Sequence, residues 1–255
     1  MSRFIVTAPV LALAATAAPA YAQDMSWTGF YVGVHGAFVD TQPTWTGHNI
    51  YQTVVDGGEG NLTLLPHDDT IAARGHHTDP GGGARVGFNF ASGGFVIGGE
   101  ADATFFGYTR NITNTSASAT YTLHSHASSL ETVRARAGVA FGPAMLFATG
   151  GVAFSNLRNT LTATDMSQVI VDGGEGAPTI GPATANLADS RKVNTGWTVG
   201  GGGEVRVSNK FSIALTLLHV DFGHDNLAAA SAPSSFTARV KSRMFVGMLG
   251  VNLGF

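Results

Sequence analysis

Six charged residues stand in pairs two positions apart in a chain otherwise rich in Gly and Ala: Glu100 and Asp102, Arg134 and Arg136, Glu204 and Arg206. In an extended strand a spacing of two puts both members of a pair on one face. Acids and bases would then share one wall of a β structure. Buried charges persist only when paired and hydrogen-bonded, so the chemistry this set offers is an interior salt-bridge cluster. An eight-stranded barrel has a bore that side chains fill. The cluster therefore predicts a plugged lumen, with a narrow polar channel for small solutes or ions as the competing expectation.

Other residues invite chemistry and carry less of it. His126-x-Ser128 would suit an enzyme that cleaves acyl chains from lipid A, but unbroken alternation back from Arg134 and Arg136 points both inward, with no acid nearby on that face. His76-His77 with Asp68, Asp69 and Asp79, and His124-x-His126, lack the His-Glu-x-x-His spacing of a zinc helix and read as solvated loop residues. Asp56-Gly57-Gly58-Glu59-Gly60 recurs as Asp172-Gly173-Gly174-Glu175-Gly176. Two carboxylates per copy match no calcium loop, and Gly-rich bends fit better. The run Gly81 to Gly87 is followed by strand and not by a helix that could hold phosphate. No catalytic residue, cofactor or metal is expected. Arg239, Lys241 and Arg243 fall on an outward parity beside an apolar band, where cations at the headgroup level would meet lipopolysaccharide phosphates.

The elements that must position these residues are strands. Phe245 to Phe255 alternates Phe245, Gly247, Leu249, Val251, Leu253 and Phe255 against Val246, Met248, Gly250, Asn252 and Gly254. About 11 residues is the length of a tilted strand crossing a hydrocarbon layer. The same alternation recurs in Trp27 to Phe38, Gly82 to Ala91, Phe95 to Tyr108, Leu130 to Phe141, Met145 to Asn156, Thr195 to Val207 and Phe211 to Phe222, with the last strand starting near Thr237. Ser92-Gly93-Gly94, Gly142-Pro143-Ala144 and Ser208-Asn209-Lys210 make short turns. Asp40 to Asp79, Thr109 to Ser128, Asn159 to Arg191 and His224 to Phe236 read as longer loops. Eight strands with alternating short turns and long loops, bulky residues outward and charges inward, predict an all-β fold: an eight-stranded antiparallel up-and-down transmembrane barrel with long extracellular loops. A soluble barrel would have the opposite polarity.

Composition agrees. With no Cys, disulfides, thiolate metal sites and a lipid-anchored Cys are excluded. Only 12% of residues are charged, yet no uninterrupted apolar run reaches the 18 or so residues of a spanning helix. Met1 to Ala22 has the form of a secretory signal, with Arg3 at the start, an apolar run and a small-x-small ending at Ala20-Tyr21-Ala22. Cleavage after Ala22 leaves residues 23–255 as the barrel. Loss of Arg3 leaves 13 basic against 17 acidic residues, so no basic footprint for nucleic acid exists.

Four segments together carry a resemblance: Trp27-Thr28-Gly29-Phe30-Tyr31-Val32-Gly33, Thr132-Val133-Arg134-Ala135-Arg136-Ala137-Gly138, Ala148-Thr149-Gly150-Gly151-Val152-Ala153-Phe154 and Thr195-Gly196-Trp197-Thr198-Val199-Gly200. The chain resembles the small outer-membrane β-barrel proteins of alphaproteobacteria, the 25 and 31 kDa-type surface antigens, whose architecture is related to the barrel of the major outer-membrane protein A. The resemblance covers the strands and not the loops. It implies an outer-membrane location, a structural or surface role (envelope integrity, surface antigen, adhesion), and a host or surface ligand met through the loops. Lipid and lipopolysaccharide would be lasting partners. It also implies that Phe255 is a signal for the barrel-assembly machinery, a transient partner. The chain departs from the family at Ala214 and Thr216, where a charged pair is usual, and at His219-Val220-Asp221-Phe222-Gly223, which replaces a tyrosine-containing version.

Overall fold

Residues that alternate in size and polarity at a period of two have no helical stripe to bury, and the described residues of this chain fold as antiparallel strands. The computed structural model describes residues 26–56, 62–115, 119–165, 184–191, 193–231 and 234–255. The expected signal segment with Ala22, residues 57–60 of the first Asp-Gly-Gly-Glu-Gly copy and the whole second copy lie outside the described residues. The strands are β1 (Gly29–Asp56), β2 (Leu62–Arg74), β3 (His77–Ser92), β4 (Phe95–Thr115), β5 (Ala119–Phe141), β6 (Ala144–Ser155), β7 (Arg158–Asp165), β8 (Thr184–Arg191), β9 (Asn194–Arg206), β10 (Phe211–Ser231) and β11 (Ser234–Gly254). Eight of them, β1, β3, β4, β5, β6, β9, β10 and β11, pair in that order, and β11 closes the ring on β1 from Tyr31↔Gly254 to Ile50↔Ser235. The short turns are where the sequence placed them. Gly93, Gly94 and Gly142 take φ of 57°, 85° and 60°, a region that Gly enters without steric cost.

Where they are described, the long connections are strand for most of their length. β1 and β11 run on past the apolar band, β2 continues the line of β3, and β7 and β8 continue β6 and β9. Above the band the ring divides. The β3–β4 ladder ends at Gly81↔Phe106 and the β9–β10 ladder at Asp221↔Trp197. Beyond those points, among the described residues, β2–β1–β11–β10 form one four-stranded sheet and β4–β5–β7–β8 another. They face each other across Trp45, Ala73, Ala238 and Val240 from the first and Ile112, Tyr121, Leu123 and Leu161 from the second. A barrel thus opens into a β-sandwich with a core of its own.

The polarity of the wall inverts along the strands. On the barrel's outer face Phe30, Val34, Phe38, Phe88, Ile97, Val133, Leu146, Leu217, Leu249 and others are exposed. That belt ends on β1 and β11 at Phe38 and Phe245; the next outward residues are Asp40, Gln42 and Thr44 on β1 and Arg243, Lys241 and Arg239 on β11. Inside, three layers follow one another from the turn end. Trp27, Val96 and Met145 form an apolar floor. A charged layer lies above it, then a second apolar layer that includes Val39, Phe106, Leu130, Leu218, Val246 and Met248. The expectation of bulky residues outward and charges inward therefore describes the belt, whereas the sandwich has the polarity of a water-soluble protein.

One parity argument from the sequence is overturned. Alternation on β5 breaks at Ser129–Leu130, both buried, next to the Ser128 and Ser129 N–H groups that turn to Asn156 Oδ1 at 3.0 and 3.1 Å, opposite a register irregularity on β4. Above the break Ala127, Ser125, Leu123 and Tyr121 are the buried residues. His126 accordingly faces outward, with Nδ1 2.9 Å from Thr109 Oγ1, and Ser128 Oγ accepts from Asn156 at 2.6 Å.

Candidate functional site

The charged layer is built by register. β4 and β5 pair Glu100 with Arg134, and β3 and β4 pair Arg85 with Asp102. These register partners point into the bore together because strand alternation keeps paired residues on one side. Arg134 Nη2 donates to Glu100 Oε1 and, at 2.5 Å, to Asp102 Oδ2, which also accepts from Thr132 Oγ1. Arg136 Nη2 donates to Glu204 Oε2 at 2.9 Å, while its Nη1 donates to the Tyr31 hydroxyl at 2.9 Å. Tyr31 in turn donates to Glu100 Oε2 at 2.7 Å. Asn252 Nδ2 at 3.0 Å and Ser212 Oγ donate to Glu204 Oε1. Arg85 is held more loosely, its Nη1 3.8 Å from Glu100 and 3.5 Å from Thr216 Oγ1. Each of these charged side chains is buried.

Three guanidinium groups meet three carboxylates, so the layer carries no net charge. Charge-assisted hydrogen bonds of this kind are stronger than neutral ones and direct each partner's orientation. The layer also closes against aromatic faces: Arg136 lies 4.1 Å from the Phe147 ring centroid and 5.7 Å from that of Tyr31. Space for the ring of Tyr31 comes from Gly87 on β3, whose hydrogen faces it; a Cβ there would collide with the tyrosine ring.

Of the six residues marked in the sequence, the structure brings five together. Arg206 stands apart. It lies at the turn end of the bore, half-buried, 4.7 Å over the Trp27 ring. A cavity of about 380 Å³ opens there, with Tyr31, Asn89 and Glu204 among its lining. Tyr31, Arg85, Ser212 and Asn252 belong to the layer as well, beyond the charged pairs of the sequence. Their polar character on the inner parity was visible, but their convergence depends on which strand lies beside which.

The outward cations occupy the rim above the belt. Arg243 Nε donates to Asp221 Oδ2 at 3.0 Å, and Lys241 Nζ is 3.3 Å from the same oxygen. Arg239 lies a step higher, 3.4 Å from Asn226 Oδ1. Asp221 stands outside the apolar belt. Burial alone would raise its carboxyl pKa, but the Gly223 N–H, Arg243 and Lys241 more than offset that and hold it below the usual carboxylate range. Two of the three cations therefore share a carboxylate. Among the histidines, His124 Nδ1 is 2.5 Å from Asn111 Oδ1, and His76 and His77 pair with Asp40 and Asp79 at 3.0 and 3.2 Å. Among the described residues no three His, Cys, Asp or Glu side chains converge as a metal site would require.

A closed ring, an outer apolar belt and inward charges are shared with proteins of bacterial outer membranes, and the family model for the outer membrane protein β-barrel domain matches residues 8–250. The chain belongs to that family. As an outer-membrane β-barrel it is oriented by its short turns, which face the periplasm, and its sandwich, which rises on the outside. A relative from Brucella melitensis, a 31 kDa outer-membrane immunogenic protein, is 26% identical over 216 residues, covering 84% of this chain and 78% of the relative. Among solved structures, the attachment invasion locus protein Ail of Yersinia pestis is similar at a TM-score of 0.34 and 10% identity, over 85% of this chain and 98% of Ail. The outer membrane protease OmpT of Escherichia coli is similar at 0.41 and 7%, over 88% and 97%.

Proposed function

We propose that this outer-membrane barrel does not conduct and that its role is structural and surface-facing: it anchors in the envelope and displays a rigid sandwich to the outside. The observation that carries the reading is the charge-neutral layer of Arg85, Glu100, Asp102, Arg134, Arg136 and Glu204 between two apolar layers of the bore. An ion entering would have to break paired charges that lie away from water, and that path costs several kcal/mol per ion. Purified protein in planar lipid bilayers should show no current steps above background. Large steady conductance would instead establish the narrow-pore reading.

Arg239, Lys241 and Arg243 face outward at headgroup height and suit lipopolysaccharide phosphates, with Asp221 orienting the lower two. Phe255 serves as a contact for the assembly machinery. Signal cleavage after Ala22 yields the mature barrel of residues 23–255. The sandwich supplies the surface that a host or surface ligand would meet, and the immunogenic label of the Brucella relative fits exposure of such a surface. Catalysis forms no part of the reading. His126 bonds Thr109 and Ser128 bonds Asn156, so neither activates the other. Identical lipid A mass spectra from cells with and without the gene are expected, and altered acylation would overturn this.

A further inference from the structure

The three short turns at the periplasmic end differ in charge. Ser92-Gly93-Gly94 and Gly142-Pro143-Ala144 carry none, while Ser208-Asn209-Lys210 carries a cation and follows Arg206 at the end of β9. Lys210 and Arg206 both line the cavity of about 380 Å³ at this end of the bore. Ser208 Oγ accepts from the backbone N–H groups of Lys210 at 3.4 Å and Phe211 at 3.1 Å, which fixes the turn. Trp27 Nε1 donates to the Gly142 carbonyl at 3.4 Å and so holds in place the ring on which Arg206 stacks. A guanidinium stacked by its face keeps N–H donors free along its edge. Glu204, the acidic residue of the cavity lining, is already engaged by Arg136, Ser212 and Asn252, and among the described residues neither Arg206 nor Lys210 is ion-paired. On the inner side Asn89 is 3% exposed, and its Oδ1 meets no donor. Phe30, Phe211 and Phe255 line the cavity too, and they are exposed residues of the outer belt. The cavity therefore runs from the bore to the lipid side of the wall, at the headgroup height of the leaflet that faces the periplasm.

We propose that this cavity holds the headgroup of one phospholipid of the periplasmic leaflet. Arg206 and Lys210 bind the phosphodiester, Arg206 with a fork that matches two phosphate oxygens and Lys210 as a point charge. A headgroup hydroxyl reaches inward and donates to Asn89 Oδ1, while the acyl chains leave over Phe30, Phe211 and Phe255. Charge selects the lipid. Two cations without a partner favour phosphatidylglycerol, which stays negative, over phosphatidylethanolamine, whose ammonium cancels its phosphate. The volume lies at the small end of ligand sites, roughly 300–1,000 Å³, and suits a headgroup. The lipid covers the foot of the junction that closes the ring, where the Phe255 N–H donates to the Phe30 carbonyl at 2.8 Å and the Gly254 N–H to the Lys210 carbonyl at 2.7 Å. This site is at the opposite end of the barrel from Arg239, Lys241 and Arg243, so it stands or falls separately from their contact with lipopolysaccharide.

Native mass spectrometry of the purified, folded barrel in detergent, titrated with phosphatidylglycerol, counts the lipids bound. One tightly held lipid per barrel is expected. Its affinity should fall about tenfold or more when Arg206→Gln is combined with Lys210→Gln, as for the loss of hydrogen bonds to a charged group. Lys210 is exposed in a turn, so Lys210→Gln alone keeps the fold and should weaken binding by a smaller factor. Each variant's fold is checked by the mobility shift between unheated and heated samples. Replacing Arg239, Lys241 and Arg243 with Gln should leave the tight lipid in place, and phosphatidylethanolamine should bind more weakly than phosphatidylglycerol. Inorganic phosphate in excess should not displace the lipid; displacement would make the cavity a site for free anions. Residues 23–25 lie outside the described residues, and Asp24 among them is an acid two positions before Ser26 of the cavity lining. A marked gain in lipid retention on Asp24→Asn would assign the two cations to that acid. Either of those outcomes, or undiminished retention in the Arg206 and Lys210 double variant, would overturn the proposal.

Discussion

Arg134→Met removes the guanidinium that bonds both Glu100 and Asp102. It leaves three carboxylates facing the two guanidinium groups of Arg85 and Arg136. Methionine keeps much of the side-chain length, so the effect is chiefly one of charge. Removing one partner of a buried ion pair costs about 3–5 kcal/mol, because the charge left behind stays away from water. The variant should lose that much unfolding free energy when urea unfolding and refolding are followed by tryptophan fluorescence in lipid vesicles. Arg134→Met combined with Asp102→Asn restores the balance, with Arg85 and Arg136 against Glu100 and Glu204, and should recover much of the loss. Arg85→Met should cost less than Arg134→Met, since Arg85 reaches Glu100 only at 3.8 Å. A loss for Arg134→Met under about 1 kcal/mol, the range of a solvent-screened surface pair, would refute the reasoning. Water would then fill the bore, and the closed-lumen function would fall with it.

Trp45→Ala should open the core of the sandwich, with about 3–5 kcal/mol lost as for large core truncations; added protease should then cut the outer strands of intact cells while the barrel keeps its unheated gel mobility. Asp221 has a folded-state pKa below its unfolded value, so its contribution is present above about pH 4 and fades as pH falls through the folded value. Asp221→Asn should therefore flatten the acid limb of the stability profile, and an unchanged limb would place the dependence elsewhere. Replacing Arg239, Lys241 and Arg243 together with Ala should reduce lipopolysaccharide co-purifying with the barrel, measured by phosphate content per mole of protein.

The belt was legible because lipid demands large side chains at every second position, and Phe245 to Phe255 states that demand plainly. The inner charges were legible by the same parity. The sandwich was not. Its apolar residues are sparse, with Trp45, Tyr121, Leu123 and Leu161 scattered among Thr, Asn and His, and such stretches carry the composition of loops. The disposition of His126 was lost to a different cause. Ser128 and Ser129 share one side-chain acceptor, and no period in the sequence announces the slip that results. Arg206 kept its inward parity yet stacks on Trp27, because parity fixes a direction and not a height.

The reversal of polarity along β1 and β11 has a mechanical result. Phe38 and Phe245 are the last greasy steps, and Asp40 and Arg243 the first wet ones, with Asp40 bonded directly beside Phe245. Sliding the cylinder down by a step or two would draw Asp40 and Arg243 into oil, and sliding it up would strand phenyl groups in brine. The molecule therefore floats with its own draught marked on the hull, and whatever the outer sheets touch, they touch it at a fixed elevation above the cell.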